Sequence, residues 1–372
     1  MPRGSSNLRK ASAPRRPLGN VVVVLMAGGA GVRFWPVGTP RIPKQFLTAL
    51  TGRSLFAETV ERAHLLVPWE RILVLTHADY CDHVREQAPE CPAENVVLEP
   101  LRRDTAAATV LAAAVVNARW PGSVMVVMPS DHMITGLSEF RRTLAVAAAR
   151  ARRGGLGTLG IPPTCPATGY GYLRLAKAPE PGKAARVAEF VEKPPAHVAQ
   201  EYVASGRFLW NSGMFVWKTG AFLEAAARHL PEHCRHLVPL GGVTGKPDFP
   251  ARAREAFEKI QPVSVDYGIL EKAGHVWTVP AMFGWSDVGN WLTAAELLPC
   301  DAQANRVAGN AVLEHASRNM IVSASTSPLI VAGISDCVIV HGPLGTLVCH
   351  KSHVERLKAL VGRLEAKRDV GI

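Results

Sequence analysis

The sequence predicts an α/β protein with a doubly wound, mixed sheet and a small β-rich region at its C-terminal end. Uninterrupted apolar runs alternate with helical patterns between residues 21 and 161, which is typical of a parallel sheet covered by helices on both faces. After about residue 300 the pattern changes to short strands separated by turns. We therefore expect a disordered basic tail at 1–19, one large α/β domain at 20–300, and a small β-rich domain with a terminal helix at 301–372.

Composition excludes several classes of protein. The 372 residues are 48% hydrophobic and carry a formal charge of +11, and no apolar run reaches the roughly 20 residues that span a membrane. Basic residues do not alternate with aromatic ones, so nucleic-acid binding is not expected. The seven cysteines are scattered without a Cys-x-x-Cys pair, which favours reduced thiols in a cytoplasmic protein.

The first strand and the glycine loop after it form the central feature of the sequence. Four valines, Leu and Met precede Ala27, and the loop then runs through Gly28, Gly29 and Gly31. Glycines let backbone N–H groups approach an anion closely, and Arg33 and Lys44 add two cations. These residues predict a phosphate cradle, although the glycines alone are equally consistent with a simple tight turn. The spacing matches neither the dinucleotide fingerprint nor a Walker loop.

The elements that follow continue the alternation of strands and helices. Apolar periodicity and apolar runs predict the following elements: helix 54–66, strand 71–76, helix 80–87, strand 95–100, helix 105–118, strand 123–129, helix 140–153 and strand 156–161. Helix 105–118 is apolar nearly all round and should be buried. Its entrance, residues 102–105, offers backbone N–H groups beside two arginines, a favourable place for an anion.

Two isolated carboxylates follow apolar segments. Asp131 comes just after strand 123–129, and Asp287 lies in a turn at 284–291. Together they suit a hard divalent cation that also binds phosphates. Asp131 could instead only cap the following turn, and His132 is expected to be a structural neighbour.

Beyond residue 168 the expected strands 168–173 and 187–194 have an antiparallel appearance. Glu192 and Lys193 close the second of them, and Asn211 interrupts an apolar strand at 209–217. The Glu–Lys pair is either a surface ion pair of little energetic value or a site for a phosphate and a sugar hydroxyl. The buried amide needs partners, which could be backbone groups or ligand hydroxyls.

Seven ordered segments resemble the mannose-1-phosphate guanylyltransferases, within the wider sugar-nucleotidyltransferase family. The segments are 28–36 (GGAGVRFWP), 43–47 (PKQFL), 129–132 (PSDH), 168–172 (TGYGY), 190–194 (FVEKP), 210–215 (WNSGMF) and 285–289 (WSDVG). The resemblance extends from about residue 21 to 291. It implies a Rossmann-like, GT-A-like nucleotidyltransferase fold.

The resemblance also implies a reaction and roles. GTP and mannose 1-phosphate would give GDP-mannose and pyrophosphate. Arg33, Lys44, Asp131 and Asp287 would be catalytic, with Mg²⁺ on the two aspartates. The nucleotide would lie against the residues Ala27, Gly28, Gly29, Gly31, Arg33, Glu99, Asp104 and Thr105. The sugar phosphate would lie against Gly171, Glu192, Lys193 and Asn211.

The chain departs from the family pattern at one informative place. The family usually reads Arg-Asn-Thr-Ala-Pro-Ala where residues 103–108 read RDTAAA, so the choice of base is open at Asp104. The sequence stops without the isomerase domain that some bacterial members append, and a single activity is expected. A homodimer is one option for its assembly.

Two other functions are consistent with the same residues. One is a nucleotidyltransferase for another hexose 1-phosphate such as glucose 1-phosphate. The other is a non-catalytic regulatory subunit that binds GDP-mannose. The presence of Lys44, Asp131 and Asp287 favours an enzyme. The second pKa of a phosphate monoester lies near 6, so the sugar phosphate is already a dianion and no general base is required.

Overall fold

The computed structural model describes residues 17–29 and 34–369, with side chains through residue 364. Gly31, Arg33 and residues 1–16 of the predicted basic tail lie outside this range, so their roles stay predictions. Within the described residues, no helix combines the length and apolar character that crossing a lipid bilayer requires.

The described chain contains strands and helices in close alternation. The strands are β1 (Val21–Ala27), β2 (Ile72–His77), β3 (Val96–Glu99), β4 (Val124–Pro129), β5 (Met133–Thr135), β6 (Leu156–Ile161), β7 (Gly171–Leu175), β8 (Ala185–Glu192), β9 (Phe208–Lys218), β10 (Val276–Pro280), β11 (Gly284–Ser286), β12 (Arg306–Ala308), β13 (Ala311–Glu314), β14 (Met320–Ser323), β15 (Leu329–Ala332), β16 (Cys337–Gly342) and β17 (Gly345–His350). The helices are α1 (Leu55–His64), α2 (Cys81–Gln87), α3 (Asp104–Arg119), α4 (Leu137–Ala151), α5 (Ala196–Ser205), α6 (Thr219–His229), α7 (Pro231–Leu237), α8 (Phe249–Glu258), α9 (Trp291–Ala295) and α10 (Leu357–Asp369).

The chain divides into two compact units. The first comprises Met1–Ala27, Val60–Pro129 and Ile134–Trp285. It contains a nine-stranded sheet in the order β3-β2-β1-β4-β9-β6-β10-β8-β7. Strands β1 to β4 are mutually parallel where they pair, whereas β9 is antiparallel to both β4 and β6. The predicted doubly wound, mixed sheet is therefore confirmed, and the expected antiparallel pair is β7 with β8.

Helix α3 is the centre of the core of this first unit. Its residues from Ala106 to Val116 are all buried, as the all-round apolar pattern of that stretch predicts. It packs against α6 and α7. Its alanines have little side-chain bulk, which allows neighbouring backbones to approach closely.

The second unit comprises Gly28–Thr59, Ser130–Met133 and Ser286–Ile372. It contains a four-stranded sheet in the order β12-β14-β16-β17 and the parallel pair β13-β15. Its core combines Phe34 and Leu47 from the early loops with Trp291 and strand residues such as Met320. The expected boundary at residue 301 therefore corresponds to only part of this unit, because apolar side chains from the loops after β1 and after β11 pack into the same core.

Local differences from the sequence predictions have local causes. Ser264 can cap a helix, and the sequence predicts one from 264 to about 272, but the structure has a π-helical turn at Asp266–Leu270 instead. Helix α7 was not predicted, although Pro231 stands at its first turn, where proline is tolerated. Helix α9 was also missed; it begins with a capping box between Asn290 and Thr293.

Candidate functional site

The lysine cluster, made of Lys44, Asp131 and Asp287, lies within the second unit. The Lys44 ammonium is 2.7 Å from the Asp131 carboxylate and donates to the main-chain carbonyl of Asp287, also at 2.7 Å. The Lys44 side chain is only 12% exposed. The structure thus joins three sequence-predicted residues that are far apart along the chain through one buried ammonium group.

The first residue of the glycine loop is hydrogen-bonded to the segment that contains Lys44. Lys44 begins a short 3₁₀ turn after Pro43, and the next residue, Gln45, donates from its side-chain amide to the carbonyl of Gly28 at 3.0 Å. Gln45 is almost completely buried. The first residue of the predicted phosphate loop therefore has a side-chain anchor beside the lysine cluster.

Asp131 is a carboxylate at neutral pH. Burial acts to raise its pKa, but the adjacent Lys44 ammonium and His132 more than offset this effect, so that the pKa lies below its ordinary value. The His132 ring nitrogen Nε2 lies 3.6 Å from the second Asp131 oxygen. His132 is thus an electrostatic neighbour of the carboxylate, in line with its predicted structural role.

The loop that carries Asp287 is tight and strained. Val288 has φ of 46° and is fully buried, and a β-branched residue in this region is held there only by its surroundings. Asp287 accepts from the N–H of Gly289 at 3.1 Å. A Cβ on Gly289 would lie 2.8 Å from a carboxylate oxygen of Asp287, so a side chain at this position would displace the carboxylate.

The two aspartates of the lysine cluster would suit a divalent cation that takes most of its ligands from outside the protein. The described residues contain no group of three or more His, Cys, Asp or Glu side chains that could hold a metal ion. Mg²⁺ is commonly bound by one or two carboxylates together with substrate phosphates and waters. The two aspartates therefore match a cation whose remaining ligands arrive with the substrate.

The carboxamide cluster, made of Glu192, Lys193, Asn211 and Asp266, lies within the first unit. Glu192 ends β8, and its carboxylate is 3.1 Å from the Lys193 ammonium. The hydrogen bond from Lys193 to Glu192 is the main cause that raises the pKa of Lys193. The Lys193 side chain is 58% exposed, whereas that of Glu192 is 12% exposed, so the ammonium is open to a solvent-borne anion.

The Glu192 carboxylate occupies the space that a side chain at position 171 would need. A Cβ at Gly171 would lie 2.3 Å from a Glu192 carboxylate oxygen, because β7 and β8 pair these two residues directly. A role of Gly171 in sugar binding stays a prediction. The absent side chain leaves room for the Glu192 carboxylate.

We expect Gly171→Ala to raise the KM for the predicted sugar-phosphate substrate by about tenfold, because the displaced Glu192 carboxylate would lose its predicted hydrogen bond to the sugar. Steady-state kinetics with each substrate varied in turn would measure this effect. Gly169→Ala is the matched control, since a Cβ there meets no atom within 4 Å. Equal KM values for the two variants would contradict the role given to Gly171.

The partners of Asn211 belong to the protein and include a residue that sequence reasoning missed. Its amide nitrogen donates to Asp266 at 2.9 Å, and its oxygen accepts from the Thr158 hydroxyl at 2.8 Å. Asp266 stands in an otherwise apolar segment, and that isolated carboxylate was the available signal. A capped helix over the same segment, which the sequence also predicts, would give this carboxylate no role at the site.

The pKa of Asp266 is raised to about 7. The largest cause is burial, and the carboxylates of Glu192 and Asp104 add repulsion that the hydrogen bond from Asn211 only partly offsets. The carboxyl group therefore changes its charge near neutral pH.

The entrance of α3 is fastened to the segment before Asp266. Thr105 accepts from the N–H of Val265 at 2.9 Å, and the N–H of Ala106 donates to the carbonyl of Val263 at 3.1 Å. Asp104 has φ of 63° and accepts from the N–H of Thr105. Two predicted nucleotide-binding residues, Asp104 and Thr105, are thus structurally linked to the carboxamide cluster within the first unit.

Glu99 closes β3. Burial raises its pKa to about 7, so this residue, which was predicted to lie near the base, can be a hydrogen-bond donor at neutral pH.

The arginines at the α3 entrance already have protein partners: Arg102 donates to the Tyr80 hydroxyl and Arg103 to the carbonyl of Phe257.

Comparisons with known proteins identify the family of this chain. The family model for "Nucleotidyl transferase" matches residues 22–301. The chain is 34% identical to the alginate biosynthesis protein AlgA of Pseudomonas aeruginosa, over 93% of this chain and 73% of that protein. It is also 34% identical to a mannose-1-phosphate guanylyltransferase of Escherichia coli, over 92% of this chain and 73% of that protein.

A solved structure extends the likeness to the fold. The crystal structure described as mannose-1-phosphate geranyltransferase from Thermus thermophilus has a TM-score of 0.81 and 34% identity, with 93% of this chain and 99% of that chain covered. The matched segment contains every described residue of the two clusters. The chain therefore belongs to the nucleotidyl transferase family, among the mannose-1-phosphate guanylyltransferases.

Proposed function

We propose that this enzyme transfers GMP from GTP to mannose 1-phosphate, forming GDP-mannose and releasing pyrophosphate. Family membership and the names of its relatives support the substrates. The single structural observation that carries the proposal is the Lys44 ammonium held between the Asp131 carboxylate and the Asp287 carbonyl. This arrangement brings one ammonium group together with two aspartates that could hold a divalent cation, and the cluster contains no nucleophilic side chain.

In this reaction the protein has to compensate negative charge more than it has to transfer protons. A phosphate oxygen of mannose 1-phosphate attacks the α-phosphorus of GTP, a new P–O bond forms, and the bond to the β-phosphate bridging oxygen breaks as pyrophosphate leaves. The attacking monoester is already largely dianionic at neutral pH, since its second pKa lies near 6. None of the thirteen histidines has to act as a base.

The lysine cluster would bind the phosphates. Lys44 would donate to phosphate oxygens and offset the repulsion between the two polyanions, and Arg33 is predicted to add a second cation. Asp131 and Asp287 would hold Mg²⁺, which supplies further positive charge to the transferring group. Preorganised charge of this kind stabilises the transition state without reorganisation during the reaction.

The carboxamide cluster would bind the sugar phosphate. Glu192 and Asn211 would contact the sugar hydroxyls, and the largely exposed Lys193 ammonium would hold the phosphate. The backbone beside Gly171 would approach the sugar closely. Support comes from the combination of a carboxylate, an amide and a cation within one cluster, which matches a ligand that carries both hydroxyl groups and a phosphate.

Pyrophosphate release over a grid of four nucleoside triphosphates and several hexose 1-phosphates tests the proposal. We expect GTP with mannose 1-phosphate to give the highest kcat/KM. A maximum with glucose 1-phosphate would support the alternative hexose substrate. Tight binding of GDP-mannose without turnover of any pair would support a regulatory subunit, and either result would overturn the proposal.

Asp104 is the test of base preference. Its carboxylate only accepts hydrogen bonds and so complements the N–H groups of guanine. We expect Asp104→Asn to lower kcat/KM for GTP by about tenfold and to leave the much lower value for ATP unchanged. Asparagine tolerates the left-handed backbone of this position, so the fold should be retained. Asp82→Asn, at an exposed position in α2, is the control; an unchanged GTP-to-ATP ratio in Asp104→Asn would remove Asp104 from base recognition.

The remaining expectations are part of the proposal. Mg²⁺ as the preferred metal, a cytoplasmic location and a homodimeric assembly are predictions. A metal titration would test the first of them, because Mg²⁺ should support turnover at least as well as Ca²⁺, whose larger radius suits looser ligand sets.

A further inference from the structure

The Asn211 amide is held from both sides by side chains of the first unit. Its nitrogen donates to Asp266 at 2.9 Å, and its oxygen accepts from the Thr158 hydroxyl at 2.8 Å and from the N–H of Gly213 at 3.4 Å. The amide nitrogen carries a second hydrogen, which has no partner among the described residues. Asn211 is half-buried, so this hydrogen is the part of the amide that a ligand can use.

The orientation of this amide depends on Asp266 more than on Thr158. A hydroxyl can donate or accept, and the Thr158 hydroxyl also lies 3.1 Å from the carbonyl of Met214. It could therefore donate to that carbonyl and accept from a reversed Asn211 amide equally well. An ionised carboxylate can only accept, so the amide nitrogen must face Asp266 while Asp266 is charged.

Asp266 is itself fixed in place by the backbone around it. It begins the π-helical turn at Asp266–Leu270, and such turns occur frequently at functional sites. The preceding residue, Val265, donates from its N–H to Thr105, and the N–H of Gly268 donates to the carbonyl of Ser264 at 2.8 Å. A carboxylate on so constrained a segment can set the orientation of its neighbour.

We propose that Asp266 is a positioning residue for sugar recognition, which orients the Asn211 amide so that its free N–H is presented to a sugar hydroxyl. This inference rests on the proposed function and extends it to a residue outside the predicted site. In the opposite orientation the same ligand would meet the carbonyl oxygen of Asn211, and the donor would be lost. Asp266 thus contributes to the selection of the sugar through Asn211, without contacting the substrate.

The charge of Asp266 gives this role a pH dependence. The pKa of its carboxyl group is about 7, raised first by burial and then by Glu192 and Asp104. Lys193 is a further charged neighbour, because its ammonium interacts electrostatically with Asp266. Below pH 7 the protonated carboxyl group can donate to the amide oxygen, which permits the reversed orientation. Amide orientation, and with it sugar binding, should therefore be better defined above pH 7.

The test compares Asp266→Asn with the unmodified enzyme in steady-state pyrophosphate release at pH 6 and pH 8. We expect kcat/KM for mannose 1-phosphate to fall about tenfold at pH 8 and at most about twofold at pH 6, where the unmodified carboxyl group is also neutral. The loss should appear in the KM for the sugar phosphate, with the KM for GTP unchanged. The ionisation of the substrate itself affects both enzymes equally and cancels in the ratio.

Two further variants separate positioning from general structural damage. Glu271→Gln removes an exposed carboxylate from the same segment, one without a hydrogen bond to Asn211, and should change kcat/KM by less than twofold. In the Asn211→Ala background, Asp266→Asn should cause no additional loss, because the group it orients is gone. If Asp266→Asn does not fold, Asp266→Ser replaces it in the same comparison.

The outcomes distinguish this inference from the proposed function. If the unmodified enzyme turns over mannose 1-phosphate and the loss in Asp266→Asn is equal at both pH values, or persists in the Asn211→Ala background, the positioning role is overturned alone. If none of the hexose 1-phosphates supports pyrophosphate release by the unmodified enzyme, the proposed function fails and the inference fails with it.

Discussion

Replacing Asp131 by asparagine is expected to lower kcat by about 10²–10³-fold at saturating substrates and Mg²⁺. Asparagine retains the shape of the side chain and an oxygen that can accept from Lys44, but it removes the negative charge that a divalent cation requires. Asp287→Asn should cause a loss of similar size for the same reason. The measurement is kcat from pyrophosphate release over a Mg²⁺ titration, in which both variants should also need more metal for half-maximal rate.

A matched control keeps this result specific. Asp79→Asn removes an exposed carboxylate that follows β2, in the same way that Asp131 follows β4, and it should leave kcat within twofold. Thermal melting should show folded protein for all three variants. Rates close to those of the unmodified enzyme in both Asp131→Asn and Asp287→Asn would remove the metal assignment.

The second large effect is expected for Lys44→Met, with a fall in kcat of about 10²–10³-fold. Methionine keeps most of the aliphatic length but supplies no charge, so the repulsion between the two phosphate groups is no longer offset. The same change leaves the Asp131 carboxylate without its ammonium partner, and the pKa of Asp131 should rise because burial then acts with less opposition. Single-turnover kinetics would show the loss in the chemical step.

Lys44→Arg makes the test of this role sharper. A guanidinium keeps the charge but spreads it over a planar fork, which does not fit the position of a compact ammonium between two oxygens at 2.7 Å. We therefore expect only partial recovery. Lys218→Met, at the exposed end of β9, is the surface control. A Lys44→Met enzyme with unchanged kcat would show that Lys44 serves only the structure of the second unit.

The strands of the central sheet could be predicted from the sequence, because the apolar residues within each strand indicate that it is buried. The run Val21–Ala27 has no polar residue, and such a run has few alternatives to a strand buried on both faces. The same holds for β4 and β6, whose bounds differ little from the predicted ones. Glycine and charged residues directly after such strands marked the candidate phosphate loop.

Contacts between distant residues could not be predicted from these patterns. Lys44 and Asp287 are separated by 243 positions and Asn211 and Asp266 by 55, and no periodicity connects them. The close approach of Gly171 to Glu192 likewise depends on the register of β7 and β8. For Asn211 the open question was between backbone and ligand partners, and the structure shows the side chains of Thr158 and Asp266 together with one backbone N–H, that of Gly213.

The division of the chain into two compact units could also be predicted only in part from the sequence. The change in pattern near residue 300 indicated a separate β-rich region, but Phe34 and Leu47 pack in the core of the same unit as β14 and β16. Such discontinuous units arise when a loop between two strands carries its own apolar side chains, and these side chains reveal their partners only after folding.

The central claim is that this enzyme neutralises charge and aligns two reactants that are already reactive, without generating a nucleophile. The most direct test is the pH dependence of kcat, measured with saturating GTP, mannose 1-phosphate and Mg²⁺ between pH 7 and 9. We expect a nearly constant kcat over this range, because the attacking phosphate is already a dianion. A kcat that rises through an ionisation in this range, and loses that dependence when a single histidine is replaced, would show general-base catalysis and contradict the account.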